Sequence, residues 1–257
     1  MKFIGIIPAR YASTRFPGKP LAMLGGKTVI QRVYEQVVSV LGEAYVATDD
    51  ERIFQAVEAF GGKAIMTRND HKSGTDRIEE AAEKLEERGE RREDVIIINV
   101  QGDEPFIQKS QLETVMSLFD DPQVQIGTLG KPFESMEAVE NPNSPKIVCD
   151  VNGYALYFSR SVIPYVRGKE RVTWIQDYPY LKHIGLYAYR RSVLQSITKL
   201  PQSSLEIAES LEQLRWLQNG YRIKVGITHI ETVGIDTPED LQRAEDQLLL
   251  ISSTSCR

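Results

Sequence analysis

The sequence predicts an α/β fold with a mostly parallel sheet and an antiparallel insertion in its second half. In the first half, short apolar runs alternate with amphipathic stretches, which is typical of βαβ units. The rhythm changes after about residue 130, where Asn152-Gly153 gives a strong hairpin signal. Strand and helix patterns alternate again after residue 180. These observations predict one domain, residues 1–257, with an insertion around 131–190.

The first half of the chain predicts four strands and three helices. The strands are expected at KFIGII, AYVATD, KAIM and VIIINV, and the helices at TVIQRVYEQVVSVL, ERIFQAVEAFG and TDRIEEAAEKLEE. Since these strands are apolar throughout, they favour a parallel sheet covered on both faces. Ligands of such sheets bind at the carboxyl ends of the strands. The candidate site therefore lies in the loops after Ile7, Asp49, Met66 and Val100.

The second half predicts a hairpin and then a return to α/β structure. KIVCD and YALYF are the hairpin strands, and further strands are expected at HIGLYAYRR and YRIKVGI. One helix is expected at SLEIAESLEQLRWLQ and another after DTPED.

Composition argues against several protein classes. The chain has 257 residues, 41% of them apolar, which is enough for a sizeable core. Its formal net charge of -5 argues against nucleic-acid and membrane-surface binding, which use a dominant basic face. Cys149 and Cys256 are far apart and lack CxxC or Cys/His spacing, so neither a disulfide framework nor a zinc site is indicated. The start MKFIGII is too short for a signal-peptide core, and no apolar run reaches membrane-spanning length. We expect a soluble, cytoplasmic protein.

The loop after the first strand concentrates positive charge. In GIIPARYASTRFPGKPL, Arg10, Arg15 and Lys19 stand among three prolines. The loop is not a Walker A motif, since Ser13 occupies the place of its first glycine, and G-x-G-x-x-G is also missing. Prolines restrict the shape of the loop, and neighbouring cations repel unless an anion lies among them. An anionic ligand is favoured over three ordinary solvated cations.

Two aspartates are candidates for the site, Asp103 just after the strand VIIINV and Asp236 just before a predicted helix. Asp103 could cap the helix near KSQLETVMSL, but Ser110 lies closer to that helix. Asp236 precedes Thr237, which is the better N-cap because Asp240 can complete a capping box with it. The side chain of Asp236 is then free to point into the cleft.

The segment MTRNDHKSGTDRI follows the third strand and leaves alternatives open. Taken alone, Ser73 or Thr75 would be a helix cap, and Arg77 would be a surface charge partnered by Glu80. Its place at a strand's carboxyl end favours a role in the site instead. His71 is expected to be a loop histidine, since no metal-type histidine spacing accompanies it.

Segments along nearly the whole chain resemble the 3-deoxy-manno-octulosonate (Kdo) cytidylyltransferases, or CMP-Kdo synthetases. They are IIPARYASTRFPGKPL, ATDD, MTRNDHKSGTDRI, NVQGDEP, GYALYFSR, HIGLYAYR, LEQLR and GIDTPEDL, in the expected order. The resemblance implies a Rossmann-like nucleotidyltransferase fold, a homodimer and Mg²⁺-dependent transfer of CMP from CTP to Kdo for lipopolysaccharide biosynthesis. CMP-sialate synthetases open with a similar turn but continue differently. The alternatives are a cytidylyltransferase for another acidic ketose and a non-catalytic nucleotide-binding regulator, although the latter would not need both Asp103 and Asp236.

The resemblance also implies roles for individual residues. The catalytic residues are Lys19, Asp103 and Asp236, with the two aspartates as Mg²⁺ ligands. The nucleotide-binding residues are Arg10, Ser13, Arg15, Lys19, Ser73, Gly74, Arg77 and Gln101. The sugar-binding residues are Gln101, His183, Tyr187, Glu212 and Gln213. The resemblance further implies that the insertion serves dimerisation and sugar binding. Arg160 would belong to either the site or the subunit interface.

The sugar-binding set also has plainer interpretations. The acidic sugar needs a cation for its carboxylate as well as hydrogen-bonding groups. Taken alone, however, His183 would be a structural histidine and Tyr187 a core residue. Glu212 and Arg215 would be an ordinary solvated helix pair.

Overall fold

The computed structural model describes residues 1–87, 95–231 and 234–254, with side chains described as far as residue 249. Cys256 lies outside these residues. The chain divides into two compact units, which are Met1–Leu112 with Thr232–Arg257 (unit 1) and Glu113–Glu231 (unit 2). The single domain with an insertion around 131–190 stays a prediction. Among the described residues, no helix combines the length and the apolar character needed to cross a membrane.

Strands and helices alternate along the chain. The strands are β1 (Lys2–Ala9), β2 (Met23–Leu24), β3 (Lys27–Thr28), β4 (Ala44–Thr48), β5 (Ala64–Met66), β6 (Val95–Asn99), β7 (Ile126–Pro132), β8 (Lys146–Cys149), β9 (Ala155–Ser159), β10 (Leu181–Arg190) and β11 (Ile223–Ile227). The helices are α1 (Val29–Leu41), α2 (Glu51–Ala59), α3 (Gly74–Leu85), α4 (Lys109–Ser117), α5 (Met136–Glu140), α6 (Trp174–Asp177), α7 (Arg191–Ile197), α8 (Ser204–Glu209), α9 (Gln213–Gln218) and α10 (Pro238–Thr254).

Unit 1 is built on the parallel strands β6-β1-β4-β5, in that order. Strands β4 and β6 are buried along their whole length, as expected for a sheet covered on both faces. Side-chain caps begin the helices, with Thr28 at α1 and Asp50 at α2. The parallel strands and helices predicted for this half are confirmed. Because β1 and β6 are parallel neighbours, the loops after them emerge at one edge of the sheet.

The short β2–β3 hairpin was not among the predicted elements. Its two-residue loop is Gly25-Gly26, with φ of 54° and 80°. Two consecutive positive φ angles define the turn that matches the twist of a hairpin, and glycine adopts them without strain. The Gly-Gly pair was the signal that could have revealed it.

Unit 2 contains the antiparallel pairs. β10 pairs antiparallel with β7 and β8, β8 pairs antiparallel with β9, and β11 runs parallel to β7. The predicted hairpin at Asn152-Gly153 is confirmed. Gly153 has φ of 74°, and the carboxylate of Asp150 accepts the N–H groups of Asn152 and Tyr154, each at 2.8 Å. The mostly parallel α/β fold with antiparallel strands is therefore present.

The single helix predicted at SLEIAESLEQLRWLQ is wrong, because it is divided into α8 and α9. Ser210 ends α8 with φ of 51°, in the left-handed region. The guanidinium of Arg160 donates to the carbonyls of Glu209 at 2.7 Å and Ser210 at 3.3 Å. These bonds come from outside the helix and hold the chain at the break.

The predicted solvated pair of Glu212 with Arg215 is also wrong. The side chain of Arg215 is buried and donates two hydrogen bonds to the carboxylate of Glu206, at 2.9 and 2.7 Å. Glu212 is only a distant additional acceptor, at 3.5 Å. The break before α9 makes Glu212 its N-cap residue rather than part of a continuous helix.

Candidate active site

A cleft of about 360 Å³ opens in unit 1 where β1 and β6 end. Backbone and side chains of the first loop form one part of its lining, and the segment after β6 forms another. The predicted site residues that line it are Arg10, Ser13, Arg15, Lys19, Gln101, Asp103 and Asp236. The structure thus gathers residues from both termini and the middle of the chain at the edge of the sheet that the sequence indicated.

An ion cluster lies in this cleft. Lys19 Nζ donates to Asp103 Oδ2 and, at 3.0 Å, to Asp236 Oδ1. The other carboxylate oxygen of Asp236 accepts a hydrogen bond from Arg15 Nη2 at 2.8 Å. Burial alone would lower the pKa of Lys19, but the two carboxylates outweigh it and raise that pKa above its ordinary value of 10.5. Lys19 is therefore a permanent cation at physiological pH.

Close backbone packing places Asp103 in the cleft. A Cβ on Gly102 would lie 2.8 Å from the carbonyl oxygen of Pro8, so only glycine allows this loop to pack against β1. The carbonyl of Asp103 accepts the N–H of Ile235 at 2.8 Å, which ties the two acidic segments together. Ser110 as a helix cap is wrong, because α4 begins one residue before it. Asp103 lies well ahead of that helix and does not cap it.

The helix cap next to Asp236 forms as predicted. The carboxylate of Asp240 accepts the N–H of Thr237 at 2.9 Å, and the hydroxyl of Thr237 accepts the N–H of Asp240 at 3.2 Å. Pro238 is the first residue of α10. With the cap complete, the carboxylate of Asp236 is directed to Arg15 and Lys19.

The rest of the first loop is held by contacts that the sequence did not indicate. The guanidinium of Arg52 lies over the ring of Tyr11, 3.3 Å from its centroid. Gly18, with φ of 74°, packs against the same ring and donates its N–H to the carbonyl of Tyr11 at 2.8 Å. Arg10 donates to the carbonyl of His71, and Ser13 accepts the N–H of Phe16 at 3.4 Å.

The residues at the start of α3 have structural roles of their own. Ser73 is the N-cap and forms a capping box with Asp76. The interpretation of Arg77 as a surface charge paired with Glu80 is wrong, because the Arg77 side chain has no exposed surface. It pairs with Asp49 at 3.1 Å and donates to Thr67 Oγ1 at 2.5 Å. The nucleotide contacts of Ser73, Gly74 and Arg77 stay predictions.

The residues assigned to sugar binding lie in unit 2, apart from Gln101. The ring of His183 packs against Phe158 and Tyr187, with centroids 5.1 and 5.3 Å apart. Its Nε2 lies 3.2 Å from Thr128 Oγ1. Burial lowers the pKa of His183 to about 3. The imidazole is therefore neutral at physiological pH, and its contact with the sugar stays a prediction.

Tyr187 and Gln213 are both buried. Tyr187 stacks on Tyr189, with ring centroids 5.8 Å apart, and meets the edge of Trp216 at 5.2 Å. This confirms the interpretation of Tyr187 as a core residue. Gln213 is 5% exposed, and within the described part of the chain its Nε2 has no hydrogen-bond partner. A buried donor without an acceptor is costly, so this amide is available to donate to an acceptor outside the described chain. The sugar contact of Gln213 stays a prediction.

The two aspartates of the cleft fit a magnesium ion that arrives with a polyphosphate. Among residues 1–87, 95–231 and 234–254, no three acidic, histidine or cysteine side chains come together as a metal cluster. Asp103 and Asp236 are a pair, bridged by Lys19. Mg²⁺ prefers oxygen donors, keeps several waters and is held by one or two carboxylates together with substrate phosphates. The pair supplies these donors.

Known proteins are similar to this chain over nearly its whole length. A family model described as cytidylyltransferase matches residues 4–224. The 3-deoxy-manno-octulosonate cytidylyltransferase of Phocaeicola vulgatus is 67% identical over 248 residues, which cover 95% of this chain and 96% of the relative. This chain belongs to the 3-deoxy-manno-octulosonate cytidylyltransferase family. The enzyme of the same name from Bacteroides thetaiotaomicron is 64% identical, over 96% of this chain and 98% of its own.

A solved structure supports the same assignment. It is a CMP:2-keto-3-deoxy-manno-octonic acid synthetase in complex with CTP, with a TM-score of 0.88 and 46% identity. The match covers 97% of this chain and 99% of that structure. The predicted resemblance and the nucleotidyltransferase fold are confirmed. The present chain, as a member of this family, is an enzyme.

Neutral His183 predicts a pH dependence of stability. Between pH of about 3 and 6.5 the unfolded chain binds a proton at His183 that the folded chain does not. The free energy of unfolding therefore falls as the pH drops below 6.5, by about 1 kcal/mol per pH unit. Urea unfolding at pH 7, 6 and 5 measures this change. The free energy of unfolding should fall less steeply with falling pH in His183→Gln than in wild type. The matched control, His229→Gln, changes an exposed histidine and should keep the wild-type dependence of the free energy of unfolding on pH. A wild-type dependence of the free energy of unfolding on pH in His183→Gln would contradict the neutral imidazole.

Proposed function

We propose that this enzyme transfers CMP from CTP to the anomeric hydroxyl of Kdo, giving CMP-Kdo and pyrophosphate. The observation that carries the proposal is the ion cluster of Lys19, Arg15, Asp103 and Asp236 in the cleft of unit 1, in a chain of this family. The product would serve lipopolysaccharide biosynthesis as the activated form of the sugar.

The basic residues of the cleft suit the polyphosphate of CTP. Lys19 is a compact charge, whereas the guanidinium of Arg15 can bind two phosphate oxygens at once. Arg15 is 65% exposed and reaches solvent beyond its partner Asp236. The incoming phosphates would draw it away from that carboxylate. In this scheme the cations bind and orient the triphosphate, and Arg10 and Ser13 add donors at the start of the loop.

The reaction needs no covalent enzyme intermediate. The sugar hydroxyl attacks the α-phosphorus and loses its proton to solvent, a new P–O bond forms, and the bond to the β-phosphate breaks to release pyrophosphate. Catalysis of such a displacement depends on positioning and on the stabilisation of phosphoryl charge. Burial, with the nearby Asp150, raises the pKa of Cys149 to about 11, so this thiol is protonated and unsuited to attack.

Magnesium is the proposed cofactor, and Asp103 and Asp236 would hold it. Bound there, Mg²⁺ would neutralise charge on the phosphates and lower the pKa of the attacking hydroxyl. The role of the protein is to hold both carboxylates in one cleft. Lys19 does this through its contacts with both.

The sugar would be bound by hydrogen-bonding groups of unit 2. Gln101, in unit 1, stays a predicted sugar contact. The buried amide of Gln213 offers a donor, and Glu212 offers a carboxylate acceptor for hydroxyl groups. A cytidylyltransferase for another acidic ketose is the alternative that an assay must exclude. The homodimer and the cytoplasmic location stay predictions.

A substrate panel tests the proposed function. With CTP and Mg²⁺, pyrophosphate release should be fast with Kdo and slow with a sialic acid. Replacing CTP by UTP or ATP should also slow it. The measurement is a coupled pyrophosphate assay of the full chain with each sugar and nucleotide. Faster turnover of another sugar acid would refute Kdo as the substrate.

Asparagine variants test the two aspartates. Asp103→Asn and Asp236→Asn should each reduce turnover by about a hundredfold, since each removes a charge while keeping the shape of the side chain. The double variant should be scarcely slower, because residues that act as one unit are not additive. Manganese binding in the presence of CTP, followed by electron paramagnetic resonance, should weaken in parallel.

Asp240→Asn serves as the matched control. It changes the adjacent cap residue but leaves the carboxylates of the cleft in place, so turnover should stay near wild type. If Asp236→Asn also kept wild-type turnover at low Mg²⁺, Asp236 would not be a metal ligand.

A further inference from the structure

Lys146 is a buried lysine for which the reaction gives no use. It lies on β8 with no exposed surface. Its ammonium donates to the carbonyls of Asn141 and Ser144, both at 3.1 Å, and of Arg160 at 2.6 Å. An ammonium has three donors, so the contacts account for all of them. Lys146 therefore fixes the chain just after β9 to the loop before β8.

Arg160 carries this connection to the break between α8 and α9. Its guanidinium donates to the carbonyls of Pro142 at 3.0 Å, Glu209 at 2.7 Å and Ser210 at 3.3 Å. The carboxylate of Glu209 in turn accepts the N–H of Arg160 at 2.9 Å and the hydroxyl of Ser159 at 2.6 Å. The two residues thus bind each other through both backbone and side chain.

The break itself needs such support. Ser210 has φ of 51°, which is unfavourable for a residue that carries a Cβ. Glu212 and Gln213 follow two and three residues further on, where α9 begins. The Nε2 of Gln213 has no acceptor among the described residues, and it can donate to a ligand oxygen only when it is correctly oriented. A change in the direction of the chain at Ser210 would misplace both side chains.

We propose that Lys146, Arg160 and Glu209 form a positioning clamp that sets Glu212 and Gln213 for binding of the acidic sugar. The clamp acts on the sugar through those two residues. It makes Lys146 and Glu209 positioning residues of the reaction, and it explains why the predicted helix is interrupted. The inference rests on the proposed function, since it takes Glu212 and Gln213 as sugar contacts.

Variants of Glu209 test the clamp through a split between the two substrates. Glu209→Ala should raise KM for Kdo about tenfold or more and leave KM for CTP within about twofold, because only the sugar contacts are displaced. Glu209→Gln should restore KM for Kdo to within about threefold. Its amide oxygen can accept the N–H of Arg160, and its amino group can donate to Ser159.

Arg222→Ala is the matched control in unit 2. It removes a guanidinium that lies over Tyr154, 3.7 Å from the ring centroid, and should leave both KM values unchanged. Ser159→Ala removes one donor to Glu209. It should also raise KM for Kdo, but less than Glu209→Ala does. It replaces Glu209→Ala if that variant does not fold.

Hydrogen exchange supplies a readout independent of activity. Backbone amides of residues 211–214 should exchange faster in Glu209→Ala than in wild type, and Glu209→Gln should restore their protection. If wild type does not use Kdo, the proposed function fails and exchange alone decides whether the clamp holds α9. If wild type uses Kdo but Glu209→Ala keeps its KM, or loses CTP and Kdo affinity equally, the clamp is refuted. Failure of Glu209→Gln to restore KM would also overturn it.

Discussion

The contact of Lys19 with Asp103 and Asp236 is the interaction on which the candidate active site depends. Two carboxylates in a half-buried cleft repel each other unless a cation balances them. Lys19 balances both and joins three segments that are distant in the sequence. The parallel order of β1 and β6 brings these segments to one edge of the sheet. The same charges that stabilise the cleft are those that a metal-bound triphosphate would engage.

The elements of unit 1 follow from the sequence because local signals agree with the fold. Apolar strands, capping residues and amphipathic helices all specify the same βαβ order there. The predicted helix at SLEIAESLEQLRWLQ failed because a distant side chain, Arg160, competes for its backbone carbonyls. Periodicity describes one segment at a time, so it cannot register a hydrogen bond from a residue about 50 positions away.

In the candidate site too, local sequence signals predicted some residues, while contacts between distant residues could not be predicted. Asp236 could be assigned because the cap next to it was readable as Thr237 and Asp240, which left its carboxylate free. The position of Arg77 could not be predicted, because nothing near it in the sequence indicates its buried pair with Asp49. The neutrality of His183 likewise depends on tertiary burial. Charge and capping patterns therefore indicated the ion cluster of unit 1, whereas the surroundings of Arg77 and His183 depend on tertiary packing.

Nucleotide binding by Lys19 variants tests the central claim most directly. Titration calorimetry should compare CTP and CMP, with Mg²⁺, in wild type, Lys19→Met and the control Lys27→Met, which breaks an exposed pair with Glu35. If Lys19 binds the outer phosphates, Lys19→Met should weaken CTP by about tenfold or more and CMP by less than about threefold, because charge-assisted bonds to phosphate are strong. The control should match wild type. Equal losses for CTP and CMP would contradict the account.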